Sequence, residues 1–375
     1  MNTSIRTPLS SLLALTAALA VSSPAQESSK PDIRFSGYVD ADFSANVNDG
    51  NANSGLEADL TTTVVFTSRL NGVIYTTMTD GVVPAQGADA TWAPVRFDGA
   101  ALNWAYNDDL TLHVGDIIPG VGYFNYYLNK RAAVVVGERA LRGVGADWKG
   151  LSVATGVSGL GATDTSGNPV PATQWSTFVK YDYALAPNMT LTPAVKQTFA
   201  TGATPVEGGL SFKGSFGEYA LKADVAANYW SSDYDLGYTL LVEPSWAHDT
   251  YTVAATIFYN EKGTKAAPNV PTTTLPSPLA DSVSTLLRGG RATFDDFFVY
   301  VEPGMSLGKT FSVGLPLEYH VPSLDADVGN AFWAVPTLYI YPGSGVEWWI
   351  WAQGVFPVAG GSADLYAGSE IIFRF

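Results

Sequence analysis

The sequence predicts an all-β chain: one closed antiparallel transmembrane β-barrel of eighteen strands, with sixteen as the alternative count, short turns at one end and long loops at the other. Three observations carry this expectation. Charged residues are only 15% of the chain against roughly 25% in ordinary soluble domains, while aromatics reach 13% and glycines number 37. Alternation of apolar and polar residues runs on for longer than soluble strands need. Tight turns and long polar segments take strict turns along the chain.

Residues 1–25 read as a cleaved secretory leader: Arg6, then an apolar run from Leu12 to Val21, then small residues at Ser23 and Ala25. That run is too short for a helix spanning a bilayer, which needs about 20 residues. Residues 26–32 form a short lead-in, and 33–375 form the single barrel domain.

From Ile33 to Val47 the odd positions are Ile33, Phe35, Gly37, Val39, Ala41, Phe43, Ala45 and Val47, alternating with Arg34, Ser36, Tyr38, Asp40, Asp42, Ser44 and Asn46. A soluble strand is usually about 5–6 residues long, whereas a tilted membrane strand needs about 9–11. The next arm repeats the pattern, with Leu56, Ala58, Leu60, Val64, Phe66 and Leu70 against Glu57, Asp59, Thr61, Thr63 and Arg69; Asn71-Gly72 then predicts a two-residue hairpin turn. In the fourth arm the apolar parity slips between Phe97 and Leu102, and Gly99 between them predicts a β-bulge. Further tight turns are predicted at 107–109, 149–150, 186–188, 217–218, 248–249, 308–309 and 342–345. Between the hairpins lie longer polar segments, notably 118–138 and 262–293. Segregating loop length by parity is what a membrane barrel requires and a soluble sandwich does not. Aromatics near the tight turns, such as Trp148, Tyr183, Phe216, Tyr219 and Tyr251, sit where an interfacial girdle belongs.

The last arm alternates Ala363, Leu365, Ala367, Ser369, Ile371, Phe373 and Phe375 with Asp364, Tyr366, Gly368, Glu370, Ile372 and Arg374. At this point the chain resembles the Gram-negative outer-membrane porins, whose terminal aromatic strand is read by the barrel-insertion machinery; Phe373 and Phe375 match that signal. The segments Phe35-Ser36-Gly37-Tyr38 and Leu102-Asn103-Trp104 through Val114-Gly115 look like porin strands as well. The resemblance implies export to the outer membrane, contact with its lipid and lipopolysaccharide, and a homotrimer. It also implies passive diffusion of small hydrophilic solutes through a water-filled channel, without a cofactor. A saccharide-selective porin and a non-conducting structural or adhesive barrel are the alternatives.

Composition narrows the chemistry further. Cys is absent, which removes disulfides, thiolate nucleophiles and zinc knuckles; three His leave little for a metal cluster. A net charge of -15 disfavours nucleic acid, whose phosphates call for Lys and Arg. No nucleophile and base converge in the sequence, so no enzymatic activity is expected.

If one face meets lipid, the alternate face lines the lumen. Candidate pore-lining or constriction residues are Arg34, Asp40, Asp42, Glu57, Asp59 and Arg69, with Lys130, Arg131, Arg139 and Arg142 from loop 118–138 and the strand after it. That loop looks, by its order in the chain, like the one that folds inward and narrows porins. Its bases would then oppose the carboxylates of the first two strands. An acidic lumen predicts a weak cation preference. Continued parity also turns Trp333, Tyr339, Tyr341, Trp349 and Trp351 inward, a stripe of rings on which sugar faces could stack.

Overall fold

A computed structural model describes residues 30–79, 96–117, 121–127, 130–136, 141–158, 174–199, 206–229, 237–261, 297–322, 324 and 329–375. The leader 1–25, most of 26–32 and Arg139 lie outside them. Every regular element among the described residues is a β-strand. The first five are β1 (Asp32–Asn46), β2 (Ala52–Thr67), β3 (Leu70–Thr79), β4 (Arg96–Ala105) and β5 (Leu110–Ile117). A separate hairpin follows, β6 (Val121–Tyr127) paired with β7 (Lys130–Val136). The wall resumes with β8 (Leu141–Trp148), β9 (Leu151–Ser158), β10 (Gln174–Tyr181), β11 (Tyr183–Ala186), β12 (Met189–Phe199) and β13 (Val206–Phe216). Then come β14 (Tyr219–Tyr229), β15 (Gly237–His248), β16 (Tyr251–Glu261), β17 (Phe297–Leu307), β18 (Phe311–Gly314) and β19 (Leu317–Val321). The last four are β20 (Ala331–Ala334), β21 (Thr337–Gly343), β22 (Val346–Pro357) and β23 (Asp364–Arg374).

All pairings are antiparallel, and β23 returns to pair with β1, so the sheet closes. Three staves are each drawn as two pieces: β10 with β11, β18 with β19, and β20 with β21. The last two break at Pro316 and Pro336, where proline has no N–H to give the ladder. Joining the pieces gives a closed barrel of 18 strands. The chain end itself completes the seam, because Phe375 exchanges two backbone hydrogen bonds with Gly37, at 2.9 and 3.1 Å. A closed barrel leaves no sheet edge, which is what lets strands lie in hydrocarbon.

The distribution of side chains is that of a soluble protein turned inside out. Phe35 is 61% exposed, and Ile33, Phe43, Leu56, Val195, Leu210 and Ile257 also stand on the outer surface. Lys196, Glu207, Asp224 and Glu318 are buried within. Burying charge inside while presenting rings and aliphatics outside is costly in water and is the stable arrangement in lipid. Trp148, Tyr183, Phe216, Tyr219, Tyr251 and Phe311 are exposed beside the tight turns, as an interfacial girdle requires.

Two local features differ in how they follow the expectation. The bulge is present: Tyr75 pairs with Gly99 and Thr76 with Phe97, leaving Asp98 unpaired, and Gly99 has φ of 155°. The first tight turn is displaced. It falls at Ser68-Arg69, with Thr67 paired to Leu70, and Asn71-Gly72 lies inside β3. Asn71 is kept in the strand by the hydrogen bond that its Oδ1 accepts from Asn103 Nδ2, at 3.0 Å.

Candidate functional site: the lumen and its hairpin

The ladder registers place the inner face residue by residue. Asp40 and Asp42 on β1, Asp59 on β2 and Glu370 on β23 share one side of the wall: Asp42 is directly opposite Glu370, and Tyr38 opposite Asp59. Asp59 Oδ1 accepts a hydrogen bond from the Thr77 hydroxyl at 2.6 Å. Glu57 faces Asp40 in the ladder. Along this stretch Asp42 is exposed and Asp40, Asp59 and Glu370 are half-buried, so water reaches the wall there.

The opposite half is covered. Leu141, Ala154, Phe178, Ala194, Ala226, Leu241, Phe258 and Phe298 form one buried cluster running from β8 to β17, with Ile117 and Tyr300 packed against it. Among them stand buried ionisable groups: Lys196 lies 3.5 Å from Glu207, and His320 lies 2.6 Å from Glu318. The His320 ring sits 4.7 Å from that of Trp333 and 6.4 Å from that of Phe298. The β6–β7 hairpin lies against part of this sector. It springs from between β5 and β8, yet its contacts run to β12, β13, β14 and β15. Lys130 and Arg131, at the start of β7, therefore travel with a backbone lying near the strands that carry Glu207, Asp224 and Glu243. This places the hairpin's backbone on the side of the barrel away from Asp40, Asp42, Glu57 and Asp59 of β1 and β2.

The neck of the hairpin is braced at its root. Asp116, near the end of β5, is nearly buried and accepts hydrogen bonds from Arg142 Nε (2.8 Å) and Nη2 (3.1 Å) on β8. Its Oδ2 also accepts from the Ala100 N–H at 3.0 Å. The bulge makes room for it, since a Cβ on Gly99 would lie 2.7 Å from Cβ of Asp116. Arg142 thus braces neighbouring staves while its side chain stays more than half exposed.

Two other candidates move to the rims. Arg69 occupies a tight turn, donates to the Tyr106 carbonyl at 2.9 Å and lies 3.6 Å from Asp108 in the neighbouring turn. Arg34 is exposed near the start of β1 and pairs with Asp32 at 2.7 Å. Both belong to the tight-turn mouth, because the turn at Ser68-Arg69 puts their positions at the ends of strands.

The aromatic positions lie on adjoining staves. Tyr339 and Trp349 face each other across β21 and β22, with ring centroids 5.5 Å apart and edge to face. The Tyr339 hydroxyl donates to Glu302 Oε1, and Tyr300 donates to Glu302 Oε2, each at 2.5 Å. Trp351 lies over Gly368, where any Cβ would collide with its indole. Trp333 is opposite Glu318, and Tyr341 is partly exposed near the last tight turn. Phe373 and Phe375 point outward beside the seam.

Sequence reasoning missed the His320–Glu318 and Lys196–Glu207 pairs. Their signal was parity alone: His320 and Glu318 flank the outward Tyr319, and the facing of Lys196 against Glu207 depends on a register that no single strand encodes.

No protein-family model and no curated protein matches the chain. Solved structures do. Acinetobacter baumannii OccAB4 aligns with a TM-score of 0.56 at 10% identity, over 92% of this chain and 98% of its own. Pseudomonas aeruginosa OccK5 (OpdH) aligns at 0.54 and 11% identity, over 92% and 97%. The outer membrane protein opdK from Pseudomonas aeruginosa aligns at 0.54 and 10% identity, over 92% and 98%. At such identities the likeness is one of architecture: along nearly its whole described length, this chain has the fold of the outer-membrane porins.

Proposed function

We propose that the chain forms a water-filled channel in the outer membrane for passive diffusion of small hydrophilic solutes, with a weak preference for cations. The observation that carries this reading is the combination of a closed 18-stranded wall with an accessible acidic sector. Barrels of about 8 strands are filled by their own side chains, whereas those of about 16–18 leave an aqueous passage. In support of this reading, the hairpin's contacts run to β12–β15, while Asp40, Asp42, Asp59 and Glu370 lie on staves away from it. Carboxylates on the passage wall attract counter-ions of positive sign, and salt screens them beyond about 10 Å at 0.1 M.

The cleaved leader supplies export, the Phe373 and Phe375 strand supplies the insertion signal, and assembly is as a trimer among lipid and lipopolysaccharide. A saccharide-selective channel is the second reading, favoured by the edge-to-face Tyr339 and Trp349 pair on the inner wall. Liposome swelling with graded sugars, together with the reversal potential in a tenfold KCl gradient, tests both. The channel reading expects swelling by small solutes and a potential of cation-selective sign. A barrel that inserts but admits neither ions nor sugars refutes it.

A further inference from the structure

Between the neck of the hairpin and the tight-turn end, the inner wall of β3–β10 contains a cavity of about 360 Å³. Its polar side is organised by His113. Its Nδ1 lies 2.8 Å from Asn103 Oδ1 and its Nε2 2.9 Å from Asp147 Oδ2. The Asn103 amide is oriented for this role, because its Nδ2 donates to Asn71. Lys180, also on the lining, lies 3.4 Å from Asp182, and Asp116 at the upper end is held by Arg142. Lys180 and Asp116 thus each have a counter-charge inside the wall, and Asp147 is engaged by the His113 ring, so the charged groups of the lining are already partnered.

What the lining offers instead is hydrogen-bonding capacity beside an apolar surface. Asp147 keeps more than half of its side chain accessible, and Lys180 has three N–H donors with one directed at Asp182. The Ser152 hydroxyl lies between them on β9, since Ser152 is opposite Asp147 on one side and Lys180 on the other. Facing these groups are Tyr75, Ile117, Ala154 and Phe178. Small-molecule sites are concavities of about 300 Å³ or more in which convergent polar groups fix a ligand beside apolar surface, and here polar and apolar groups share the lining.

We propose that this cavity is a docking site for a neutral, sugar-sized polyol, its hydroxyls held by Asn103, Asp147, Ser152 and Lys180 and its C–H face turned to Tyr75 and the apolar floor. The proposal deepens the channel reading and rests on it, as the ligand arrives through the lumen. It places sugar recognition under the hairpin root and apart from the Tyr339 and Trp349 pair.

Titration calorimetry of the folded barrel in detergent tests the site without requiring conduction, with glucose as the probe and glycine as a dipolar control. The expected result is saturable glucose binding, no glycine binding, and a loss of glucose affinity of about tenfold in Asp147→Ala and in Ser152→Ala, the equivalent of one well-made hydrogen bond. Heat-modifiable migration in electrophoresis establishes that each variant is folded. Absence of glucose heat, glycine binding of equal strength, or unchanged affinity in both folded variants overturns the proposal. Bilayer recordings on the same preparations separate the two levels. A barrel that conducts KCl but binds no glucose removes the site alone, and one that binds glucose but passes no ions removes the channel reading.

Discussion

Replacing Arg142 by Ala would release the root of the hairpin. The wild-type guanidinium gives Asp116 two charge-assisted hydrogen bonds, and the variant leaves that nearly buried carboxylate with the Ala100 N–H at 3.0 Å. Hydrogen bonds to charged groups contribute about 1.5–3 kcal/mol. The Arg142 side chain is itself 58% exposed, so solvent already screens part of the attraction, and about 1–2 kcal/mol is the appropriate loss. A change of that size raises the population of any displaced hairpin arrangement by a factor of roughly 5–30. Since the hairpin is joined to the wall through β5 and β8, its displacement alters the width of the passage. Single-channel recording of Arg142→Ala is expected to show more frequent sub-conductance steps and greater low-frequency noise than the parent, with Arg142→Lys, which cannot make the forked contact, intermediate. Traces of a folded Arg142→Ala barrel indistinguishable from the parent would refute the idea that this ion pair steadies the hairpin.

Further outcomes follow from the same geometry. Combining Asp40→Asn, Asp42→Asn and Glu370→Gln removes the carboxylates of the accessible sector, and the reversal potential in a salt gradient is expected to move to the non-selective value; an unchanged potential would assign ion preference elsewhere. Lys196→Met removes the ammonium 3.5 Å from the buried Glu207 carboxylate, with an expected cost of up to about 3–5 kcal/mol in urea unfolding. The double variant with Glu207→Gln is expected to recover most of that loss. Leu210→Arg on the outer face is expected to lower stability in bilayers by about 2–4 kcal/mol if it lies at mid-depth.

Alternation made the wall readable. Ile33 to Val47 and Ala363 to Phe375 each keep one apolar and one polar face, and both pair as expected on either side of the seam. Gly99 also announced its bulge, because the parity of Phe97 and Leu102 conflicts across it. The buried belt was not readable. In the stretch Leu240-Leu241-Val242 all three residues are apolar, yet Leu241 is fully buried inside while Leu240 faces out. Period two cannot separate a lumenal apolar residue from a lipid-facing one when both neighbours are apolar too. The hairpin's destination was equally hidden, for it depends on the belt that β10–β17 assemble together across seven staves. The first turn misled for a smaller reason. Asn-Gly favours a turn locally, but pairing of Thr67 with Leu70 and the bond between Asn71 and Asn103 outweigh that preference.

The account depends above all on the two faces of each stave meeting different solvents. The chain has no native cysteine, so single cysteines report cleanly. Ala41→Cys and Asp42→Cys, adjacent on β1, should be exposed to a water-soluble maleimide with the barrel reconstituted in bilayers. Rapid labelling at position 42 with protection at 41 is the predicted result, and equal labelling at both positions would contradict it.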